Sequence, residues 1–235
     1  MGSRSSIDRG IEATMVRQAP LKLGVPKSVV VIGCGGVGTW VAYFLALAGV
    51  KELWLFDHDI VSDHNLNRVP LSKKAIGTRK TQAVKNLIHS VRPDCSVLAM
   101  GGWDLTTAAL FGTEVKHVVV ATDTLSSRQE IYKWASVFAT YIEVAAEGEM
   151  GSATGVPANW QTSEETQVGY QSVPVWLGPC VMAAMVAVNH VVHNVRMGDR
   201  TIRMGWNEDR FYIFDSEAPD LIAIPDGVKK EKHAE

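Results

Sequence analysis

The chain has 235 residues, of which 46% are hydrophobic, and its 23 Lys and Arg residues nearly balance 25 Asp and Glu, for a formal net charge of −2. This length allows one large domain or one domain with an appended piece, and the apolar fraction excludes an intrinsically disordered chain. The near-neutral charge disfavours a non-specific nucleic-acid binder, which needs a basic excess. Three widely separated cysteines argue against a disulfide framework and favour a reducing, cytoplasmic setting.

Residues 1–27 form a predicted N-terminal helical extension, because apolar residues recur in them at helical spacing. Strands and helices then alternate from residue 29 to residue 145. The predicted strands are short apolar or β-branched runs, and the predicted helices are longer segments with an apolar face. The strands cover residues 29–32, 53–56, 97–100, 118–121 and 141–145, and the helices cover residues 37–48, 78–91 and 126–138.

This alternation predicts an α/β fold with a doubly wound, Rossmann-like, mostly parallel sheet. Residues 154–173 interrupt it with a polar stretch that we interpret as a long crossover loop. A further apolar helix is predicted over 178–195 and short strands over 200–223. No segment is predicted to cross a membrane, because the longest apolar run is shorter than the roughly 18–20 residues that a span needs. The predicted units are the N-terminal extension 1–27, a nucleotide-binding domain over 28–197, and C-terminal strands with a charged tail over 198–235.

A glycine-rich loop lies between the first predicted strand and the helix that follows it. Its sequence is Gly33-Cys34-Gly35-Gly36-Val37-Gly38. Glycine permits a tight turn and lets backbone N–H groups approach a phosphate, and the helix N-terminus adds partial positive charge. Asp57 ends the next strand, where a carboxylate can accept hydrogen bonds from a ribose. The pattern predicts a nucleotide site with Gly33, Gly35, Gly36 and Gly38 in its loop, and it leaves an NAD(P)-dependent oxidoreductase open as an alternative.

The residues after Asp57 favour a triphosphate over a dinucleotide. Arg68 can fork onto phosphate oxygens, and Asn65 can donate to them as a neutral partner. Lys80, at a predicted helix start, offers a second cation. Asp123 ends the fourth predicted strand, at the carboxyl edge of the sheet where ligands bind, and a carboxylate there can hold Mg²⁺ with its waters. The sequence therefore predicts a triphosphate site with Asp123 as its metal ligand.

Together, these ordered motifs resemble the E1-like family of ubiquitin-activating, ThiF-type and MoeB-type adenylyltransferases. The motifs are the glycine loop, Asp57-x-Asp59-x-Val61-x-x-x-Asn65-Leu66-x-Arg68, Gly77-x-x-Lys80 and Asp123-x-x-x-x-Arg128. The resemblance covers about residues 15–197. It implies ATP and Mg²⁺ as cofactors, places Asp59 with Asp57 at the nucleotide, and gives Arg128 a role in orienting Asp123. It also implies a homodimer in which Arg17 reaches across into the partner's ATP site.

The chemistry that this resemblance implies is adenylation of a carboxylate. The C-terminal glycine of a ubiquitin-like or sulfur-carrier protein ending in Gly-Gly attacks the α-phosphorus of ATP, giving an acyl-adenylate and pyrophosphate. Arg17, Arg68, Lys80 and Asp123 are the implied catalytic residues, because they neutralise the charge that builds on the leaving phosphates. Two alternatives stay open: activation of a small-molecule or tRNA-linked carboxylate, as in a tRNA threonylcarbamoyladenosine dehydratase, and a nucleotide-binding partner subunit without catalysis.

The sequence departs from the family pattern in its cysteines. It has no paired C-x-x-C zinc ligands, and its crossover loop has no cysteine that could receive an activated protein as a thioester. Cys180, at the start of the late helix, is a candidate nucleophile. A small buried side chain is the favoured interpretation, because reactive thiols need exposure and nearby cations. The sequence therefore predicts adenylation without a covalent thioester on the enzyme.

Overall fold

A single eight-stranded sheet dominates the computed structural model, which describes residues 14–108, 115–158, 174–207 and 210–218. The strands are β1 Ser28–Ile32, β2 Glu52–Phe56, β3 Ser96–Met100, β4 His117–Val120, β5 Thr140–Glu147, β6 Met150–Thr154, β7 Thr201–Asn207 and β8 Arg210–Asp215. The α-helices of the described residues are α1 Gly36–Ala48, α2 Lys80–Val91, α3 Leu105–Ala108, α4 Leu125–Ala135 and α5 Leu177–Val192. The spatial order of the strands is β3-β2-β1-β4-β5-β6-β7-β8.

The first five strands pair in parallel, which confirms the predicted Rossmann-like α/β fold. Their apolar residues are buried on both faces of the sheet. Val29 and Val31 belong to the core cluster that includes α1 and α5, and Val30 belongs to the cluster on the side of α4. The strand order reverses between β1 and β4. Ligands of open α/β sheets bind in the crevice beyond the carboxyl ends of two such strands.

The last three strands pair antiparallel and continue the same sheet. The sequence did not predict β6, and because Thr154 ends this strand, the prediction that the crossover loop begins there is wrong. The small residues at positions 151–153 lack the apolar pattern of a strand, and pairing with β5 and β7 on its two sides stabilises β6. Residues 159–173 of the predicted loop lie outside the described residues. The boundary after residue 197 stays a prediction, although β7 and β8 extend the main sheet.

Only the end of the predicted N-terminal extension is described. Residues 15–18 form a turn, and a short 3-10 helix follows over Ala19–Leu21. The side chain of Gln18 donates through Nε2 to the carbonyl of Ala48 at 2.7 Å, which ties this segment to the C-terminal end of α1. The part of the predicted helix before residue 14 lies outside the described residues. Among the helices that the structure describes, none combines the length and apolar character needed to cross a bilayer.

An ion pair after α2 gives a prediction for acid stability. Arg92 donates to both carboxylate oxygens of Asp94, at 2.9 and 2.7 Å, and to the carbonyl of Ala46 at 2.9 Å. The hydrogen bonds from Arg92 lower the pKa of Asp94 to about 2, from its ordinary value of 3.8. Because the folded-state pKa is the depressed one, this stabilisation is complete above about pH 4 and is lost as the pH falls through about 2.

We expect Asp94→Asn to lower the free energy of unfolding by about 2 kcal/mol at neutral pH, as a pKa shift of this size implies. Near about pH 2 the difference between variant and wild type should largely vanish, because the carboxylate is then half protonated even in the folded chain. Urea unfolding at the two pH values measures this. A loss of the same size at both would show that the variant acts through packing and not through charge.

Candidate functional site

The glycine-rich loop lies where the strand order reverses. It leaves β1 at Gly33, whose N–H donates to the carbonyl of Phe56 at 2.7 Å. On the other side, the N–H of Ala121, which follows β4, donates to the carbonyl of Ile32 at 2.7 Å. The loop is therefore held between the ends of β2 and β4, in the crevice that receives ligands in this fold.

Two glycines of the loop have opposite surroundings. A Cβ at Gly38 would lie 1.8 Å from the carbonyl oxygen of Gly33, so α1 packs against the loop only in the absence of a side chain. A Cβ at Gly35 would meet no atom of the described residues within 4 Å. Open space therefore lies at the N-terminus of α1, where backbone N–H groups lack helical partners. This space and these donors suit a phosphate.

Asp57, directly after β2, holds the loop from one side. Its Oδ2 accepts a hydrogen bond from the N–H of Cys34 at 2.7 Å, and its Oδ1 accepts one from the N–H of Asp59 at 2.8 Å. A carboxylate oxygen has more than one lone pair, so the same group can accept a further hydrogen bond from a ribose hydroxyl. Asp57 thus stands at the position in the crevice that the sequence predicts for it.

Lys80 is the first residue of α2, which begins two residues later than predicted. Its ammonium lies 2.7 Å from Oδ2 of Asp59. Partial burial raises the pKa of Asp59, but the hydrogen bond and charge of Lys80, with a smaller contribution from His58, lower it below its ordinary value. The charge of Lys80 also acts on the thiol of Cys34. These interactions place a cation beside the glycine loop.

Three side chains after β2 form a group with the spacing of a metal site. Asp57, His58 and Asp59 offer ligand atoms that all lie within 4.8 Å of one another. The group fits a metal poorly, because the ammonium of Lys80 already pairs with Asp59, and two backbone N–H groups donate to Asp57. Donors thus already occupy much of the coordinating capacity of these carboxylates.

Arg68 approaches the loop from the segment that follows β2. A Cβ at Gly36 would lie 3.0 Å from Cδ of Arg68 and 3.1 Å from its Nε. The guanidinium donates through Nη1 to the carbonyl of His64 at 2.5 Å and to Oδ1 of Asn67 at 2.9 Å. The side chain is therefore oriented beside the loop by residues of its own segment.

Two asparagines shape the segment that carries Arg68. Asn65 is buried, and its Oδ1 accepts a hydrogen bond from the N–H of Ser62 at 2.9 Å. Because that oxygen is engaged, a phosphate contact would come from the amide nitrogen, which is the donor that the sequence predicts. Asn67, which the sequence motifs do not single out, donates through Nδ2 to the carbonyl of Val175 at 3.3 Å. It links Arg68 to the chain just before α5, and its adjacency to Arg68 is the one signal in the sequence.

Asp123 lies three residues beyond the end of β4, so the prediction that it ends this strand is wrong. The pairing stops because the carbonyls of Thr122 and Asp123 turn to Arg128, which donates to them through Nε at 3.0 Å and Nη2 at 2.8 Å. Arg128 therefore orients Asp123 by binding the backbone carbonyl of Asp123, and the carboxylate of Asp123 is left exposed. The adjacent hydroxyl of Thr122 is buried without a hydrogen-bond partner in the described part of the chain. An exposed carboxylate in a polar crevice suits Mg²⁺.

Cys180 is buried beside Gly36 of the loop. A Cβ at Gly36 would lie 3.0 Å from its Sγ. Burial raises the pKa of this thiol to about 11, although the charge of Arg68 acts in the other direction. Cys34 and Cys95 are buried as well, and burial also raises the pKa of each. The favoured interpretation of Cys180 as a small buried side chain agrees with this environment.

Arg17 lies far from the glycine loop of its own chain. It is exposed and stands beside Gln18, which is tied to the C-terminal end of α1. The glycine loop lies at the N-terminal end of that helix. A helix of 13 residues is about 20 Å long, which is well beyond the reach of an arginine side chain.

Known proteins match parts of this chain. It is 35% identical over 92 residues to a ubiquitin-like modifier-activating enzyme 5 of Caenorhabditis elegans, a match that covers 39% of this chain and 22% of that protein. It is 40% identical over 70 residues to a tRNA threonylcarbamoyladenosine dehydratase of Haemophilus influenzae, covering 29% of this chain and 27% of the relative. The chain thus spans about a quarter of the length of these two relatives.

The fold has solved counterparts. A crystal structure of E. coli MccB with AMPCPP and MccA matches with a TM-score of 0.64 at 21% identity, over 82% of this chain and 64% of that one. At this identity the likeness shows a shared fold. A family model described as the ThiF family matches residues 20–172, which is well over half of the chain. The chain therefore belongs to the ThiF family, the group of E1-like, ThiF-type and MoeB-type proteins that its motifs resemble.

Proposed function

We propose that this chain uses ATP to adenylate a carboxylate. One observation carries the proposal: the charged groups that a triphosphate needs lie in contact with the glycine loop or close to it. Asp57 holds the loop backbone, Arg68 lies against Gly36, and Lys80 lies close enough for its charge to act on Cys34. Asp123 follows the strand end that packs on the same loop. Family membership supports the reading.

In the proposed reaction, the cationic residues of the chain bind the phosphates and a carboxylate binds the metal. Arg68 and Lys80 would donate to the phosphates that leave as pyrophosphate, and Asp123 would hold Mg²⁺. When bound, Mg²⁺ neutralises charge on phosphate oxygens and orients them. Asp59 keeps the ammonium of Lys80 in place until a phosphate competes for it. A carboxylate substrate needs no general base, because it is already ionised at neutral pH.

The substrate that we propose is the C-terminal glycine of a ubiquitin-like or sulfur-carrier protein. The likeness to the C. elegans modifier-activating enzyme supports this choice. The H. influenzae relative supports a second candidate, a tRNA-linked carboxylate, because its name gives a modified tRNA nucleoside as the substrate. A nucleotide-binding subunit without catalysis is the third. The presence of Arg68, Lys80 and Asp123 at one crevice argues against this last candidate.

ATP–pyrophosphate exchange separates these candidates. The purified chain is mixed with ATP, Mg²⁺ and labelled pyrophosphate, and in turn with β-grasp proteins ending in Gly-Gly, with the same proteins lacking those two residues, and with tRNA. Exchange that needs the Gly-Gly terminus supports the proposed substrate. Exchange or AMP release with tRNA alone supports the second candidate. ATP binding without exchange under every condition contradicts adenylation.

We also propose that the active form is a homodimer in which Arg17 serves the partner's site. The position of Arg17 supports this, because it lies at the end of α1 that is remote from its own glycine loop. An arginine there can contribute to phosphate binding only in a second copy of the chain.

A further part of the proposal is that no thioester forms on this chain. At pH 8 a thiol with a pKa of about 11 is ionised in about one molecule per thousand, which leaves Cys180 a poor nucleophile. We expect Cys180→Ala to keep pyrophosphate exchange within about threefold of wild type, because the change removes one buried sulfur atom. Native protein should also resist a thiol reagent that labels all three cysteines after denaturation.

Mass spectrometry of the chain incubated with ATP and its carboxylate substrate tests directly whether a thioester forms. A reductant-sensitive adduct on Cys180 would contradict the proposal. Cys95→Ala is the matched control, because that thiol is buried to the same extent and lies just before β3, at the edge of the sheet where the parallel strands begin and so away from the glycine loop.

A further inference from the structure

A buried ion pair lies beside the segment that carries Asp123. The side chains of Arg128 on α4 and Glu143 on β5 are 4% and 1% exposed, and Nη1 of Arg128 lies 3.3 Å from Oε1 of Glu143. In the parallel register of the two strands, Glu143 is opposite Val120, the last residue of β4. The carboxylate is therefore placed at the point where the chain leaves the sheet toward Asp123.

The guanidinium of Arg128 joins this carboxylate to the segment. Its Nε and Nη2 donate to the carbonyls of Thr122 and Asp123, while Nη1 faces Glu143. A guanidinium is planar and rigid, so an orientation fixed at one nitrogen also fixes the directions of the other N–H groups. The ion pair thus sets the position of two successive backbone carbonyls.

Tyr141 holds the carboxylate in turn. Its hydroxyl donates to Oε2 of Glu143 at 2.8 Å, so the two carboxylate oxygens have separate partners. Burial, followed by the negative charge of Glu143, raises the pKa of Tyr141 well above its ordinary value, and the hydroxyl remains a donor. Tyr141 and Glu143 are two residues apart and so share one face of β5. A continuous set of polar contacts runs from Tyr141 to the backbone of Asp123.

Stability alone does not account for this arrangement. Desolvation of two buried ions offsets much of their attraction, and apolar side chains of similar volume often stabilise a core at least as well. What an apolar pair cannot provide is the pair of hydrogen bonds to the carbonyls of Thr122 and Asp123.

We propose that Glu143 is a positioning residue of the ATP site: acting through Arg128, it holds residues 122–123 so that the carboxylate of Asp123 is preset for Mg²⁺. The inference rests on the proposed function and deepens it, since it names a residue outside the predicted motifs on which metal binding depends. A charged residue in the middle of the apolar run 141–145 is the signal in the sequence.

Glu143→Gln tests the inference, because it removes the charge and keeps the shape of the side chain. Amide hydrogen exchange, followed by mass spectrometry on peptides spanning residues 118–128, should become about tenfold faster. Calorimetric titration with ATP, with and without Mg²⁺, is the second readout. The gain in ATP affinity that Mg²⁺ provides should fall about tenfold, and ATP affinity without Mg²⁺ should stay within about twofold of wild type.

Asp94→Asn is the matched control, since it breaks an ion pair of similar burial near the far end of α1. In this control the gain in ATP affinity that Mg²⁺ provides should stay within about twofold of wild type, and amide exchange over residues 118–128 should quicken only as much as in the other core strands, because the expected loss of stability is global. Tyr141→Phe keeps both charges and removes only the hydroxyl, and it should speed exchange about threefold. It decides the question if Glu143→Gln does not fold.

Unchanged exchange over residues 118–128 in the Glu143 and Tyr141 variants would overturn the inference. A loss of the Mg²⁺-dependent gain in Asp94→Asn as large as in the Glu143 variant would overturn it too, because it would indicate general destabilisation. Failure of the proposed function looks different: the wild-type chain would then bind ATP without any ATP–pyrophosphate exchange, whatever the amide exchange rates of the variants.

Discussion

We expect Asp123→Ala to lower the rate of ATP–pyrophosphate exchange about a thousandfold, because the metal then loses its protein ligand and the charge of the leaving phosphates is met by fewer groups. The fold should survive the change. Arg128 contacts the backbone carbonyl of Asp123, which the alanine variant keeps, and the carboxylate itself is exposed. Exchange at saturating ATP and thermal unfolding, measured on the same preparation, separate these two effects.

Asp199→Ala is a suitable control for the loss of an exposed carboxylate. Asp199 lies beyond the C-terminal end of α5, whereas Cys180 at the N-terminal end of that helix contacts the glycine loop. Its exchange rate should stay within about twofold of wild type. An Asp123→Ala chain that keeps more than about a tenth of wild-type exchange would contradict the metal role that we propose for Asp123.

A mixture of the two separate variants Asp123→Ala and Arg17→Ala tests the dimer. Each variant alone should be nearly inactive. In an equal mixture that has exchanged subunits, half of the dimers are mixed, and each mixed dimer has one site with both Asp123 and the partner's Arg17. We therefore expect recovery of about a quarter of the wild-type activity in a symmetric dimer. Full activity of Arg17→Ala alone, or no recovery on mixing, would contradict action across an interface.

The sequence predicts the parts of this site that depend on local pattern. Each of these parts lies within a few residues of a strand end or a helix start that the sequence predicts. They are the glycine loop, Asp57 after β2 and Lys80 at the start of α2. The parallel half of the sheet is predicted for the same reason, since its strands are continuous apolar runs.

The rest depends on contacts between distant segments. Glu143 contacts Arg128 only because β5 lies next to β4 and under α4, and no pattern within either segment indicates this pairing. The strand β6 also depends on distant segments, because its small residues form a strand only by pairing with β5 and β7 on its two sides. Residues such as Asn67 and Thr122 belong to the site through single hydrogen-bonding groups, which a sequence pattern does not distinguish from ordinary loop residues.

A pair of glycine substitutions should separate the role of the glycine loop in packing against α1 from its role in phosphate binding. We expect Gly38→Ala to lower the free energy of unfolding by about 3 kcal/mol or more, because its Cβ would lie 1.8 Å from the carbonyl oxygen of Gly33. That oxygen is backbone, so α1 or the loop must move. Gly35→Ala should cost less than about 1 kcal/mol, since its extended backbone, with φ of −79°, suits any residue.

Gly35→Ala should keep the fold but obstruct the phosphate site, so its main effect should be on ATP binding and not on stability. Its methyl group would occupy the open space at the N-terminus of α1, where a phosphate approaches the backbone N–H groups. We expect ATP affinity to fall at least about tenfold, as the loss of one close backbone hydrogen bond to a charged group implies. Urea unfolding and calorimetric titration with ATP measure the two effects on each variant. Wild-type ATP affinity in Gly35→Ala would mean that the nucleotide does not approach the glycine loop, and the assignment of the crevice would then be wrong.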